Sequence, residues 1–322
     1  MANLKICVIG VGHWGLNHIK TLLSLKVSVG CVDKDLKRLN EIKTLFPTVE
    51  CYSNVEKSLK DKFNGYIIST PPSTHFEISK LIISNNKPVL VEKPLSLSVE
   101  EAKQIKLQLE KYNGKLIVGH LMLFHPAIKK IKSLINDGVL GKIQYMYSNR
   151  INLGKVRSEE NVFWSFAPHD ISIFQYFTDS FPLKTFSIGG DFLQENIFDS
   201  TITYLKYPDS IHGHIFVSWL HPFKEHRLVV IGEKGAIHFE DSLEGKPLFF
   251  YENNNLDNKI PIMLKNKKPT KINYKMKMPL ENELKYFLDV IDGKPINIAS
   301  IDEGINVIKI LEIASKSLRN NS

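Results

Sequence analysis

Two short segments hold residue types that can move a proton near neutral pH. Glu92-Lys93-Pro94 closes a strand-like apolar run. Trp164-Ser165-Phe166-Ala167-Pro168-His169-Asp170 ends on a histidine and an aspartate. An enzyme that oxidises an alcohol by hydride removal must also take the hydroxyl proton. A lysine or histidine with a suitable pKa does that. A lysine beside a cationic ring has its pKa depressed, which would suit Lys93 to the task. Each residue also has a plainer reading: Lys93 as a surface lysine ahead of a proline turn, His169 as a bystander beside a helix-capping Asp170. The spacing puts Pro168 just before or in the first turn of the helix carrying Ile171, Phe174 and Phe177. His169 and Asp170 are then expected at the helix start.

A hydride needs a carrier, and the N-terminus has the pattern for one. Gly10-Val11-Gly12-His13-Trp14-Gly15 directly follows the apolar run that starts at Lys5, and opens a helical pattern. The first glycine allows a tight turn, the second lets backbone N–H groups approach a pyrophosphate, and the third lets helix and strand pack closely. Asp33 ends the next strand-like run, where a carboxylate can accept bonds from ribose hydroxyls. That carboxylate would repel a 2′-phosphate, so NAD is expected in preference to NADP. Lys34 and Arg38 lie close by and pull the other way.

These residues must be positioned by a scaffold, and the first 120 residues alternate between strand and helix patterns. Strands are expected at Lys5–Gly10, 27–32, 66–69, 88–91 and 116–119, each short and apolar as in a sheet buried on both faces. Between them lie helical repeats, one marked by Leu16, Ile19, Leu22 and Leu23. Thr74 with Glu77, and Ser98 with Glu101, read as capping boxes. The pattern predicts an α/β domain with a parallel sheet over 1–120. After His120 comes an amphipathic helix carrying Ile128, Ile131 and Ile135, with Gly138 placed to cap it. Strands and turns dominate from 143 to about 274, with a hairpin at Pro208-Asp209. Two helices then end the chain. An α+β domain with a large, mostly antiparallel open sheet is expected over 121–322.

At 322 residues the chain has room for about two domains. Its 43% hydrophobic and 24% charged content excludes disorder as the dominant state. No apolar run approaches the roughly 20 residues of a membrane span, and no signal peptide is read at the start. Three cysteines, Cys7, Cys31 and Cys51, cannot make a full disulfide framework and fit a reducing cytoplasm. The net charge of +8 admits an anionic ligand, but it is spread rather than striped, the run 265–275 included. No nucleic-acid or membrane partner is expected. His212 and His214 share a strand face without a carboxylate or cysteine at matching spacing, so no metal is expected.

Taken together, these segments resemble the Gfo/Idh/MocA oxidoreductases over essentially the whole chain. The likeness rests on the glycine motif, Thr70-Pro71-Pro72 with His75, Glu92-Lys93-Pro94, Gly119-His120, the His169-Asp170 helix, and Pro279-Leu280 with Glu283. The resemblance implies a Rossmann domain and NAD-dependent chemistry on CH–OH groups. It implies that Gly10, Gly12, His13, Trp14, Gly15, Asp33, Thr70, Pro71, His75, Glu92 and Lys93 lie along the cofactor. It makes Lys93 and His169 acid/base or substrate-positioning groups, and makes the peptide before Pro94 often cis. Many members carry an acidic residue four positions before the histidine, whereas here Ser165 stands there, so free-sugar and inositol substrates fit less well.

The segments His120–Pro126, 152–157 and 160–170 look most like a nucleotide-sugar branch. Those relatives oxidise the C3 hydroxyl of a UDP-N-acetylhexosamine or its uronic acid, and an aminotransferase then uses the product on the way to cell-surface polysaccharides such as lipopolysaccharide. His120, Trp164, Ser165 and His169 are then candidate substrate ligands with Lys93. Lys155 and Arg157 are candidates for the pyrophosphate, against a plain reading as a solvated basic loop. Phe124, Tyr147 or Trp164 could stack on the uracil, against a plain reading as core. A homodimer or homotetramer through the open sheet is expected. A ketoreductase, a free-sugar or inositol dehydrogenase, and a non-catalytic NAD-binding sensor are the alternatives.

Overall fold

The computed structural model describes residues 4–153, 156–157, 160–252 and 268–320. It divides into two compact units, 1–124 with 277–309 and 125–276 with 310–322.

In the first unit strands and helices alternate as β1 (Lys5–Ile9), α1 (His13–Ser24), β2 (Ser28–Val32), α2 (Leu36–Leu45), β3 (Glu50–Tyr52), α3 (Val55–Leu59), β4 (Gly65–Ile68), α4 (His75–Ser84), β5 (Val89–Glu92), α5 (Val99–Tyr112) and β6 (Leu116–Gly119). The sheet runs β3-β2-β1-β4-β5-β6 and every pair is parallel. Because side chains alternate along a strand, β1 feeds two cores. Ile6 and Val8 pack with Ile19 and Leu22 of α1, and Cys7 and Ile9 pack with Ile82, Ile83, Ala102 and Ile105 of α4 and α5. The strand order reverses between β1 and β4, and ligands of such sheets bind at the carboxyl ends of the strands around that point. β3 and α3 are too short to show a period in the sequence.

Helix starts follow local chemistry where a side chain can reach. Ser98 Oγ accepts from Glu101 N at 3.1 Å, and Glu101 Oε2 accepts from Leu97 N at 3.1 Å, close to the expected box. The box expected at Thr74 is absent. Its hydroxyl pairs with Thr70 Oγ1 and Pro71 O instead, and α4 starts without a side-chain cap.

The second unit contains α6 (Pro126–Asn136), β7 (Ile143–Leu153), α7 (Val162–Thr178), β8 (Lys184–Gly190), β9 (Ser200–Lys206), β10 (His212–Ser218), β11 (Leu220–Gly232), β12 (Gly235–Glu240), β13 (Leu248–Glu252) and β14 (Thr270–Lys271). Its eight strands run β14-β13-β12-β11-β7-β10-β9-β8, with β7 and β10 parallel and the other pairs antiparallel. One face carries α7: a Cβ on Gly213 would sit 2.9 Å from Phe174. The other face presents Tyr145, Ile202, Tyr204, His212, His214 and Phe216 around a shallow groove of about 630 Å³.

The closing helices are α8 (Pro279–Ile291) and α9 (Ile301–Asn320). The sequence assigns both to 121–322, whereas residues 277–309 fall in the first unit. The reason is the apolar stripe of α8: Leu284, Phe287 and Leu288 complete the core over Ile6, Val8 and Ile67. A Cβ on Gly65 would meet Ile291 at 2.6 Å, so β4 has a glycine where α8 lies closest.

Candidate active site

The glycine loop joins β1 to α1. Gly10 has φ +88°, and a Cβ on Gly15 would lie 1.8 Å from Gly10 O, so both positions demand glycine. Gly12 faces open space, its nearest neighbour being Arg38 Nη1 at 4.0 Å. No side chain caps the start of α1, so its first N–H groups point outward with the helix's partial positive charge. Asp33, just past β2, accepts from Val11 N and Asp35 N, both at 2.9 Å. Those bonds fix the carboxylate at the sheet edge and leave lone pairs for ribose hydroxyls. This donor and acceptor set fits a dinucleotide. His13 and Trp14 are exposed on the first turn of α1.

Glu92 and Lys93 stand at the end of β5 on the same edge, and the Lys93–Pro94 peptide is cis. Glu92 Oε1 accepts from His18 Nε2 of α1 at 2.8 Å, and Oε2 lies 3.3 Å from Lys93 N. Burial pushes the Glu92 carboxyl up. The His18 bond and the positive charge of Lys93 outweigh it and hold Glu92 below the usual carboxylate range. His75 is 1% exposed, with its nitrogens on Pro94 O at 2.8 Å and Thr70 O at 2.9 Å. It therefore ties the Thr70-Pro71-Pro72 turn to the Lys93-Pro94 turn, with both ring nitrogens taken up by backbone carbonyls. His120, past β6, is 1% exposed, and burial drives its pKa down to about 4, so it is neutral at pH 7.

In the second unit α7 starts at Val162, where the Asn161 side chain accepts from Trp164 N at 3.1 Å. Pro168 therefore lies inside the helix, and His169 and Asp170 are mid-helix rather than at its start. Proline is tolerated there at the loss of one backbone bond, to the carbonyl four residues earlier. Asp170 caps nothing. It is buried, with Arg150 Nε at 2.9 Å, Arg150 Nη2 at 3.1 Å and Ser148 Oγ at 2.6 Å. This grips α7 against β7 and fixes the rotation that carries His169, which is half-buried. Ser165 is 2% exposed.

The remaining substrate candidates are scattered in outcome. Arg157 is exposed and paired with Glu160 at 2.7 Å, and Lys155 lies outside the described residues. Phe124 is core, tilted on Tyr286 with ring centres 5.4 Å apart, so it cannot stack on a base. Tyr147 stacks on His214 at 5.3 Å. Trp164 donates its indole N–H to Ser315 at 2.9 Å and lines a polar cavity of about 200 Å³ with Asn161, Asp191, Asn196 and Arg319.

Residues 4–120 match the oxidoreductase family with an NAD-binding Rossmann fold, Gfo/Idh/MocA, and residues 128–238 match that family's C-terminal domain. The chain belongs to the Gfo/Idh/MocA family. It is an NAD-dependent oxidoreductase of the kind that acts on CH–OH groups. Among relatives, the UDP-N-acetylglucosamine 3-dehydrogenase of Acidithiobacillus ferrooxidans is 26% identical over 195 residues, 59% of each chain. The sequence match thus spans less than two thirds of that relative. Its crystal structure superimposes over 99% of both chains with a TM-score of 0.86 at 19% identity. The scyllo-inositol 2-dehydrogenase of Bacillus subtilis is 26% identical over 73% of each chain. The structure of GenD2 from gentamicin A biosynthesis, solved with NAD, covers 100% of this chain and 96% of its own at TM-score 0.83 and 19% identity. At these identities the structural likeness establishes the fold.

Three buried residues of this family member escape a reading of the sequence for chemistry. His18 sits one residue before Ile19 on the apolar stripe of α1 and is 0% exposed. Arg150 lies in a strand of alternating polarity and looks solvent-facing. Glu283 is 0% exposed inside α8, and its one signal is the family-like closing segment. Among the described residues no helix is long and apolar enough to cross a membrane.

Proposed function

We propose that this chain oxidises the C3 hydroxyl of a UDP-N-acetylhexosamine, or of its uronic acid, to a 3-keto sugar with NAD. The observation that carries the reading is Lys93, beside an ionised Glu92 on the sheet edge that bears the glycine loop and Asp33. Bound NAD supplies the hydride acceptor. Lys93 Nζ takes the hydroxyl proton as the C3–H bond gives up its electron pair. The Glu92 charge stabilises the ammonium that results. His169 serves as a second acid/base or substrate ligand, because Ser165 cannot carry a proton at neutral pH. Arg157 contributes to holding the pyrophosphate, exchanging Glu160 for a phosphate. The likeness to the Acidithiobacillus enzyme supports the choice of sugar.

The product is a reactive ketone, which an aminotransferase would consume on the way to surface polysaccharides. The uncovered aromatic and histidine face of the second sheet suits a second copy of the chain. The longer alignment with the Bacillus inositol enzyme favours a second reading, a free polyol as substrate. Ser165 weighs against it.

The test is NADH formation from NAD with UDP-GlcNAc, its uronic acid, UDP-glucose, a dTDP-sugar and myo-inositol in parallel. An aminotransferase and glutamate are included to pull the equilibrium. Turnover confined to a UDP-acetamido sugar is expected. Turnover of inositol alone would replace this reading with the second.

A further inference from the structure

The first unit buries more ionisable groups than its dinucleotide site needs. Glu283 of α8 is 0% exposed, and neither of its oxygens has a hydrogen-bond partner among the described residues. The same holds for both nitrogens of His120 and for Nδ1 of His18. Glu92 is bonded to His18 through Oε1, with Cα and Oε2 both 3.0 Å from where a Cβ of Gly119, next to His120, would stand. On either side of Glu283, Leu280 and Leu284 share one core with Ile19 beside His18, Leu90 of β5 and Ile117 of β6. A second carboxylate charge in this place would be neither solvated nor paired. Burial, and then the Glu92 charge, push the Glu283 carboxyl well above its usual range.

We propose that Glu92 and Glu283 form a carboxyl pair holding one negative charge and one proton. Glu283 keeps the proton and acts as a positioning residue that sets the charge Lys93 faces. The groups that face Glu92 are His18 from α1, His75 from α4, and Lys93 and His120 past the ends of β5 and β6, while the charge that acts on Glu283 is that of Glu92. Two carboxyls in one dry site cannot both ionise at ordinary cost, so the first to ionise keeps its neighbour neutral. The His18 bond and Lys93 select Glu92 for the charge. When Glu283 does lose its proton, at alkaline pH, the doubled charge holds the Lys93 proton more tightly. The value of the pair for catalysis rests on the assignment of Lys93 above.

The test needs no substrate, so its outcome is separate from that of the substrate panel. Infrared spectra of the whole protein should show a carboxylic-acid C=O band at pH 7 that Glu283→Gln removes. In Glu92→Gln the pH at which that band vanishes should fall by about one unit, since the like charge is gone. Carbon NMR of ε-labelled lysines, with Lys93→Met to assign the signal, then follows Lys93. It should titrate about half a unit to one unit lower in Glu283→Gln than in wild type, because the amide cannot ionise. Unchanged thermal midpoint and NAD affinity in Glu283→Gln check the fold, and Glu92→Gln gives an independent variant if that check fails. A C=O band untouched by Glu283→Gln, or one whose titration ignores Glu92→Gln, overturns the shared charge. A Lys93 titration identical in wild type and Glu283→Gln overturns the positioning role.

Discussion

Asp170 in the second unit and Glu283 in the first are both buried acids on helices, with opposite surroundings. Asp170 takes two bonds from Arg150 and one from Ser148. Glu283 has no hydrogen-bond partner among the described residues, and the charge that acts on it is that of another carboxylate. A matched buried pair is a clamp: it fixes geometry. An unmatched acid that feels another carboxylate keeps its proton, and its state responds to pH. Burial alone does not tell the two apart; the donor and acceptor count does.

The largest effect expected is on the clamp. Asp170→Ala leaves the Arg150 guanidinium buried and uncompensated, which should cost about 3–5 kcal/mol in urea unfolding. Arg150→Met with Asp170→Leu should recover most of that loss, since a matched apolar pair needs no solvation. If the double variant is as unstable as the single, the clamp account fails.

The clamp also shows where the sequence stops being legible. The parallel sheet, the glycine loop and Asp33 were readable because a doubly buried strand, a tight turn and a helix start leave local marks. The hairpin at Pro208-Asp209 and the glycine past α6 were readable for the same reason. Pro168 misled because proline most often opens a helix, while here Asn161 sets the start six residues earlier. The placement of α8 was hidden because its apolar stripe fits any core. Which core it completes depends on Gly65, more than 200 residues away in sequence. Arg150 and Glu283 carry no local sign of burial at all, since partners or their lack appear only in three dimensions.

A smaller effect should appear with acid, and it places one histidine in each unit on the same scale. His120 and His125 have folded pKa values near 4, lowered chiefly by burial, against about 6.5 unfolded. Between those values the unfolded chain holds more protons, so stability falls as pH drops from 6.5 to 4 and levels off below. Each contributes up to roughly 3 kcal/mol to that loss. His120→Asn and His125→Asn should each flatten the urea midpoint over this window. A profile unchanged by both would show that neither histidine is held neutral.

The smallest effect concerns the exposed Arg157–Glu160 pair, which has neither the clamp's burial nor the carboxyl pair's isolation. Arg157→Ala should change stability by under about 0.5 kcal/mol. It should raise the KM for a UDP-sugar about tenfold while affecting kcat far less. An unchanged KM removes Arg157 from the substrate site.

Lys93 is the group proposed to take the proton. NADH formation and NAD binding measured together on wild type and Lys93→Met, with UDP-GlcNAc and its uronic acid, test it most directly. The expected result is an NAD affinity within about twofold of wild type and a kcat at least about 100-fold lower. Wild-type turnover by Lys93→Met with NAD bound would contradict the account.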